Sequence, residues 1–464
     1  MQNPFVLILS CVYLIIGIVL LYRELRYIYL CSEIQLISFT RIMYSFVYGL
    51  LPAIILFREY NGNNTIIKID TSGSGLGNLV IMMILSIIGY FLLCAGYSSK
   101  ARIVLSVGNK RDNNLREVQF TASKATCTVT VIILIVLGWL SLYLWTKAYG
   151  SMNVFIQNAA RIRSGYGIQN NLAFFKEFAR VIIFGLYGAF ILLIKEDNRL
   201  FRFLYLCLTI VAGIGCYVFI MSSDSRTMVA VILIGLALIL LDNNVKKHGK
   251  QMFSQLIIFA LILFIGFFLI SIAEPLFRSI REGYHYTYGG FDLFGSLEKE
   301  FRYILQTQQT VVEHVFAGDL HLKLIDDVYN ALFSWFPSRF KPANMPETLW
   351  AYNTRLQLDS ARSGTWPTDL ISAGIYHLNF FGALLLPLFY GRILKEMERF
   401  SQLKNYGTIE NAIYYGLLSI FIINVSHFEY SNIVQRLFPL FLTLCVYRVI
   451  SRMFGRQVIL TSDN

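Results

Sequence analysis

Residues 79–96 read LVIMMILSIIGYFLLCAG, eighteen residues without one charged side chain. As a helix this stretch is about 27 Å long, close to the roughly 30 Å hydrocarbon thickness of a bilayer. Blocks of the same kind occupy 4–22, 125–146, 254–272 and 368–391 of the 464 residues. The whole chain is 56% hydrophobic and 15% charged, whereas a soluble chain is about a quarter charged. These numbers exclude a soluble enzyme and give an all-α polytopic membrane protein.

Working outward, eleven spans are expected, near 4–22, 37–57, 79–96, 125–146, 178–194, 203–221, 228–241, 254–272, 368–391, 410–426 and 437–453. The seventh is the shortest. The net charge of +12 does not point to nucleic acid, because the Lys and Arg excess sits in short loops between apolar blocks. Segments 23–36, 97–124, 195–202, 242–253, 391–409 and 448–464 carry 21 Lys and Arg, against 8 in the alternate short segments. The positive-inside rule makes the first set cytoplasmic, with the N-terminus outside and the C-terminus inside. The first block has no basic residues ahead of it and no small-residue cleavage site after it, so it reads as a retained helix. Seven cysteines lie in or beside apolar blocks, outside the longest polar loop, and suggest neither a disulfide framework nor a metal site.

The organisation is therefore 1–272 with eight spans and short loops, 273–366 as one large outer loop, and 367–464 with three spans and a cytoplasmic tail. Within the loop, Ser296 is an expected N-cap and Gly318 a stop. Leu297, Phe301, Ile304, Val311 and Val315 share one face of that helix, and Arg302, Gln306, Gln309 and Glu313 another. It is expected to lie over the bundle or at the headgroup boundary. Residues 335–367 hold four prolines and three tryptophans and are expected to be irregular but packed.

No phosphate-cradling G-x-x-x-x-G-K-[ST] is present, and Gly73-Ser74-Gly75-Leu76-Gly77 reads as a flexible turn. No zinc pattern is present either, so no nucleotide, metal or other cofactor is expected. The informative residues are arginines on the outer side. Arg226 stands in a six-residue link between two spans, where a guanidinium needs an anion, a carboxylate or a lipid phosphate. Arg278 and Arg281, three apart after the eighth span, share a helical face and could clamp a diphosphate, or pair with Glu274 and Glu282. Arg161, Arg163 and Arg302 are candidate substrate contacts, with Arg339, Arg355 and Arg362 read as surface residues. Asp224, Glu282, His285, Asp369 and Glu429 are the candidate proton acceptors, with His427 nearby, and no spacing selects among them. Asp369 follows Pro367-Thr368 at a helix start and also suits a capping role. Asp326-Asp327 could bind a cation but reads first as a turn or cap, and Arg41 as a residue reaching the headgroups or pairing in the bundle.

Three features carry a resemblance. Ser225-Arg226-Thr227 opens a span, and one long outer loop that begins with arginines precedes the last three spans. Phe333-Ser334-Trp335-Phe336-Pro337-Ser338-Arg339 is followed by Ser363-Gly364-Thr365-Trp366-Pro367-Thr368. In these the chain resembles the oligosaccharide repeat-unit polymerases of the O-antigen polymerase (Wzy) type. Arg278 and Gly289 match the family's Arg-x10-Gly spacing, whereas Arg161 meets Leu172 and departs from it. The resemblance implies a GT-C-like bundle of about eleven spans in a bacterial inner membrane. It also implies a glycosyltransferase that works at the periplasmic face without a nucleotide. Donor and acceptor would be polyprenyl-diphosphate-linked oligosaccharides, with Arg226, Arg278 and Arg281 on the leaving diphosphate. Arg161, Arg163 and Arg302 would meet the second lipid diphosphate or sugar acids. A flippase and a chain-length regulator are implied partners, besides membrane lipid. An O-antigen ligase and a flippase of lipid-linked sugars are the competing readings.

Overall fold

The computed structural model describes residues 3–31, 36–62, 69–99, 123–158, 171–223, 226–248, 293–336, 340–358, 366–402 and 407–454. These residues are nearly all helical and contain no strand. In chain order the helices are α1 (Pro4–Cys31), α2 (Leu36–Ser45), α3 (Leu51–Tyr60), α4 (Gly73–Ser98), α5 (Lys124–Lys147), α6 (Met152–Gln157), α7 (Phe175–Ala179) and α8 (Val181–Lys195). They continue as α9 (Arg199–Ser223), α10 (Arg226–His248), α11 (Leu293–Ala317), α12 (Leu324–Phe333), α13 (Leu349–Leu358), α14 (Leu370–Gln402), α15 (Thr408–Ile423) and α16 (Tyr430–Phe454).

Eight segments are long and apolar enough to cross a membrane, and each matches an expected span: Pro4–Ile28, Ile37–Tyr60, Gly73–Ser98, Lys124–Lys147, Phe175–Lys195, Arg199–Ser222, Leu370–Arg399 and Tyr430–Phe454. Two shorter apolar helices, Thr227–Asn243 and Thr408–Ile423, coincide with the seventh and tenth. The expected span at 254–272 lies outside the described residues. The protein is thus an all-α, multi-pass membrane protein.

Hydrophobicity sorts the helices radially. α8 is apolar all round and buried nearly all round, with Val181, Ala189 and Tyr187 fully enclosed, so it forms the centre of one half of the bundle. α1 and α9 keep Phe5, Ile15, Val19, Leu200 and Phe203 exposed, as helices facing hydrocarbon do. α4 and α14 cross where Gly96 meets the Leu388 carbonyl and Gly391 meets the Leu93 carbonyl, with no room for a Cβ at either. Such close approach of backbones is the usual membrane substitute for hydrophobic driving force.

Two segments near the functional end depart from the sequence expectation. The tri-glycine stretch is no flexible turn but the first turn of α4, with the Ser72 hydroxyl accepting from the Gly75 N–H at 3.2 Å. Residues 349–358, expected to be irregular, form α13: Thr348 caps it and Pro346 precedes it, so the prolines bracket a helix rather than prevent one.

The third departure shapes the site. Residues 368–391 were expected to form one straight span, yet Leu378 (φ −142°) and Asn379 (φ 58°) break α14. Beyond them, Gly382 packs against Gly374 so closely that a Cβ on either would overlap the other's carbonyl. Residues eight apart in a straight helix are separated by about 12 Å, so the chain reverses direction at Asn379. A short re-entrant helix, 370–377, therefore lies antiparallel to the long arm that reaches Gln402. Asn379 (ψ −159°) stands in a positive-φ extended conformation that residues with a Cβ rarely adopt, so the bend is a strained point of the backbone. Gly382→Val should force this hairpin apart and cost at least about 1–3 kcal/mol. A thermal melt of the detergent-solubilised protein checks it, and a melt unchanged from the native chain would disprove the tight contact.

Candidate functional site

The reversal brings the N-terminus of the re-entrant helix against the link between α15 and α16. The Phe428 N–H donates to the Thr368 carbonyl at 2.6 Å, the Leu370 N–H to the Val425 carbonyl at 3.0 Å, and the Thr368 hydroxyl to the Phe428 carbonyl at 2.6 Å. Asp369, one of the expected proton acceptors, is fully buried at this junction. It accepts from the Tyr48 hydroxyl at 2.6 Å, from the Ile371 and Ser372 N–H groups, and from the Ser372 hydroxyl at 2.5 Å. Tyr48 reaches it from a π-helical turn, Phe46–Leu50, just ahead of Pro52 in α3. A π turn is a common device for aiming one side chain. With both oxygens occupied, Asp369 acts as a cap that pins the re-entrant helix to the span Ile37–Tyr60.

Glu429 is placed differently. It precedes α16, its carbonyl takes the first helical bond from the Ile433 N–H, and its carboxylate accepts from the Trp350 N–H at 3.1 Å. Burial, followed by the negative charge of nearby Asp327, pushes its carboxyl up to about 7, against the pull of hydrogen bonds from Trp350, Ser431 and Thr348. A carboxylate in that range can take a proton at neutral pH. Asp327, in the first turn of α12, has no exposure; its Oδ2 accepts from the Tyr430 N–H at 3.0 Å and lies 3.2 Å from His377 Nε2. The His377 ring stacks on Tyr430 at 5.0 Å, and among the described residues its buried Nδ1 has no hydrogen-bond partner. His427 is held by the Tyr303 hydroxyl at 3.1 Å and the Ser426 hydroxyl at 2.8 Å.

Two turns into α16, about 10 Å along the axis from Glu429, lies Arg436. It is 5% exposed, bonds the Asn424 side-chain oxygen at 3.2 Å, and leaves its Nε without an acceptor. Arg180, between α7 and α8, pairs with Glu177 at 2.5 Å, and Gln435 donates to the other Glu177 oxygen at 2.8 Å. Arg180 and Arg436 both line a cavity of about 20 Å³, closed by Phe184, Tyr187, Met228 and Pro439. That is room for one oxygen-sized group. Lys341 stands near Glu177 and is pushed down by burial. Among the described residues this locus holds three cations, Arg180, Arg436 and Lys341, against Glu177 and the more distant Glu429, a surplus of one positive charge when both carboxylates are ionised. Such an excess of buried positive charge is costly unless an anion meets it. Met228 is two residues beyond Arg226, where α10 begins, so the helix start at that motif arginine lies within a turn of a cavity-lining residue.

The other expected residues divide clearly. Arg302 is 1% exposed and bracketed by Glu59 and Glu298, with Glu298 also bound by Arg58 at 2.7 Å. α11 runs from Leu293 to Ala317 and stops at Gly318 (φ 72°), but it packs into the bundle with its polar face buried as well as its apolar one. Arg302→Ala would remove one of the two cations on buried Glu298, which keeps Arg58, and the cation on part-exposed Glu59, and should cost about 1–3 kcal/mol in a thermal melt. A loss well under this would mean the cluster is solvated. Arg355 is exposed on Glu347, and Arg41 pairs with Glu24 at 3.1 Å. Arg161, Arg163, Asp224, Arg278, Arg281, Glu282, His285, Arg339 and Arg362 lie outside the described residues, as does the side chain of Arg226.

His377, Arg180 and Arg436 were not singled out from sequence, where Asp327 reads chiefly as a turn or cap. For the arginines a signal existed, since each sits at the edge of an apolar block where a cation demands a reason. Asp327 and His377, fifty residues apart, offered none. Neither a protein-family model, a curated protein nor a solved structure matches the chain.

Proposed function

We propose that the protein is a glycosyltransferase that polymerises polyprenyl-diphosphate-linked oligosaccharide repeat units. It would work in a bacterial inner membrane, with the long-loop end and the N-terminus on the periplasmic side and the C-terminus in the cytoplasm. The observation that carries this reading is the buried positive charge of Arg436 beside the Arg180–Glu177 pair and the start of α10, two helical turns along α16 from a carboxylate poised near neutrality. The first has room for one oxygen of a departing diphosphate, and the second suits an incoming hydroxyl.

In the reaction, the acceptor sugar hydroxyl on a new lipid-linked unit attacks the anomeric carbon of the growing chain. A glycosidic C–O bond forms and the bond from that carbon to the diphosphate oxygen breaks. The hydroxyl proton passes to a base, for which Glu429 is the choice among Asp224, Glu282, His285, Asp369 and Glu429. The negative charge left on the polyprenyl diphosphate is met by arginines, with Arg180 and Arg436 joining Arg226, Arg278 and Arg281. The glycosyl diphosphate bond supplies the energy, so no nucleotide is required.

The test is reconstitution in liposomes with lipid-diphosphate repeat units and no nucleotide, with product length read on a gel. A ladder is expected. Transfer of a single chain to a non-repeat lipid acceptor would make the protein a ligase. Intact single units that change leaflet would make it a flippase and its arginines a gate.

A further inference from the structure

Helix α12 has its faces the wrong way round for water. Asp327, with no exposure, and Asn330, 5% exposed, point into the protein, where Asn330 donates to the Pro346 carbonyl at 3.2 Å and Asp327 holds Tyr430 and His377. On the opposite face Ile325 is 83% exposed, Leu332 67% and Val328 44%, at a spacing of three and four residues. In an aqueous loop the pattern would be reversed. A helix with one strongly apolar face and a polar one belongs in the interface of a bilayer, parallel to its plane.

What covers this face follows from where it leads. Trp335, two residues past α12, donates its indole N–H to the Val434 carbonyl of α16 and stacks on Phe441 at 5.7 Å with planes 29° apart. Phe441 is half exposed on a membrane span, and Phe336, beside Trp335, is 51% exposed. The apolar face of α12 therefore continues without a step into the hydrocarbon-facing side of α16. A tryptophan stands at the seam, where indole rings favour the headgroup level.

We propose that α12 is an interfacial helix whose apolar face is embedded in the acyl chains of the leaflet at the long-loop end, and that the bilayer in this way holds Asp327 against His377 and the Glu429 segment. The inner face of the helix packs on α16 through Asp327, Asn330 and Ala331, whereas nothing among the described residues covers its apolar face. The leaflet supplies the second wall. This inference does not depend on the reaction proposed above.

The unaltered full-length protein can test it. It is reconstituted in liposomes doped with a phosphatidylcholine carrying a diazirine at the end of one acyl chain, irradiated, digested, and the adducts mapped by mass spectrometry. Label is expected on Ile325, Val328, Leu332 and Phe336, several-fold enriched over the exposed polar positions Glu313, Asp319 and Arg355. Label on the 322–336 peptides no greater than on those positions would overturn the proposal. So would a zero-length cross-link joining α12 of two copies, which would make the face a protein interface. Because labelling requires no turnover, a chain that polymerises nothing can still pass, and an active one can still fail.

Discussion

Arg436→Met protein is expected to lose repeat-unit polymerisation by about 10²–10³-fold while becoming more stable to heat than the native chain. The loss is the magnitude typical of removing one donor from a site that stabilises developing negative charge. It should appear in kcat more than in KM, because the interaction grows as the diphosphate departs. The gain has a separate cause. Among the described residues Arg436 has no ion-pair partner and bonds only Asn424; burial disfavours its charge, Arg180 acts on it as a like charge, and Glu429 offsets this only in part. Replacing such a buried charge with an apolar side chain of similar volume is neutral or stabilising by about 1–4 kcal/mol. A structural arginine would behave in the opposite way, with stability falling alongside activity. Native polymer yield from the Met variant would remove Arg436 from the site, and a lower melting temperature would make it a packing residue. Arg436→Lys should recover little, since a point charge cannot reproduce the guanidinium fork.

The second large effect concerns Glu429. If it accepts the hydroxyl proton it must be ionised, so the rate of the native protein should rise with pH through about 7, where burial and Asp327 have moved its carboxyl. Glu429→Gln keeps an oxygen for the Trp350 N–H but cannot take a proton. Its rate should fall by about 10²–10⁴-fold and lose that rise. Stability carries the opposite sign. The folded value stands above the ordinary 4.5, so the stability associated with the bound proton is full below about pH 4.5 and is lost as pH climbs through about 7. That amounts to something of the order of 3 kcal/mol. Glutamine does not titrate, so the two proteins should melt alike near pH 4 and the variant should melt higher at pH 8. A Gln variant with the native pH–rate profile would assign the proton to another group.

Much of the fold was legible because hydrocarbon imposes a simple demand. A helix that crosses it must be apolar for about twenty residues, and eight of the expected spans meet that test in the structure. Hydropathy carries no direction, however. Residues 368–391 look like one crossing because the re-entrant arm is as apolar as the arm it lies against, and only Asn379 with its flanking Gly374 and Gly382 marks the reversal. The site was less legible for a related reason. Arg180 and Arg436 fell at the margins of predicted spans, where a cation is ordinarily excused as a headgroup contact. Asp369 and Glu429 looked equivalent in sequence. Their environments separate them: four donors saturate Asp369, whereas Glu429 sits beside a second carboxylate. The pairing of Asp327 with His377 depends on α12 folding back across fifty residues, which no local pattern records.

The reversal at Asn379 also bears on the order in which the protein can be built. A ribosome that has released residues 370–399 has delivered thirty consecutive residues that qualify as a single crossing, and an insertion channel has no cause to bend them. The α4 surface and Tyr48 are already in the membrane by then. The carbonyl of Val425 and the backbone of Phe428, which clamp Leu370 and Thr368, are not yet synthesised. The hairpin can lock only after α15 has crossed back, so the junction of Thr368 and Leu370 with Val425 and Phe428 forms among the last events of biogenesis. A chain truncated after Gln402 would then hold nearly every apolar crossing in place and still lack the clamp that fixes the bend.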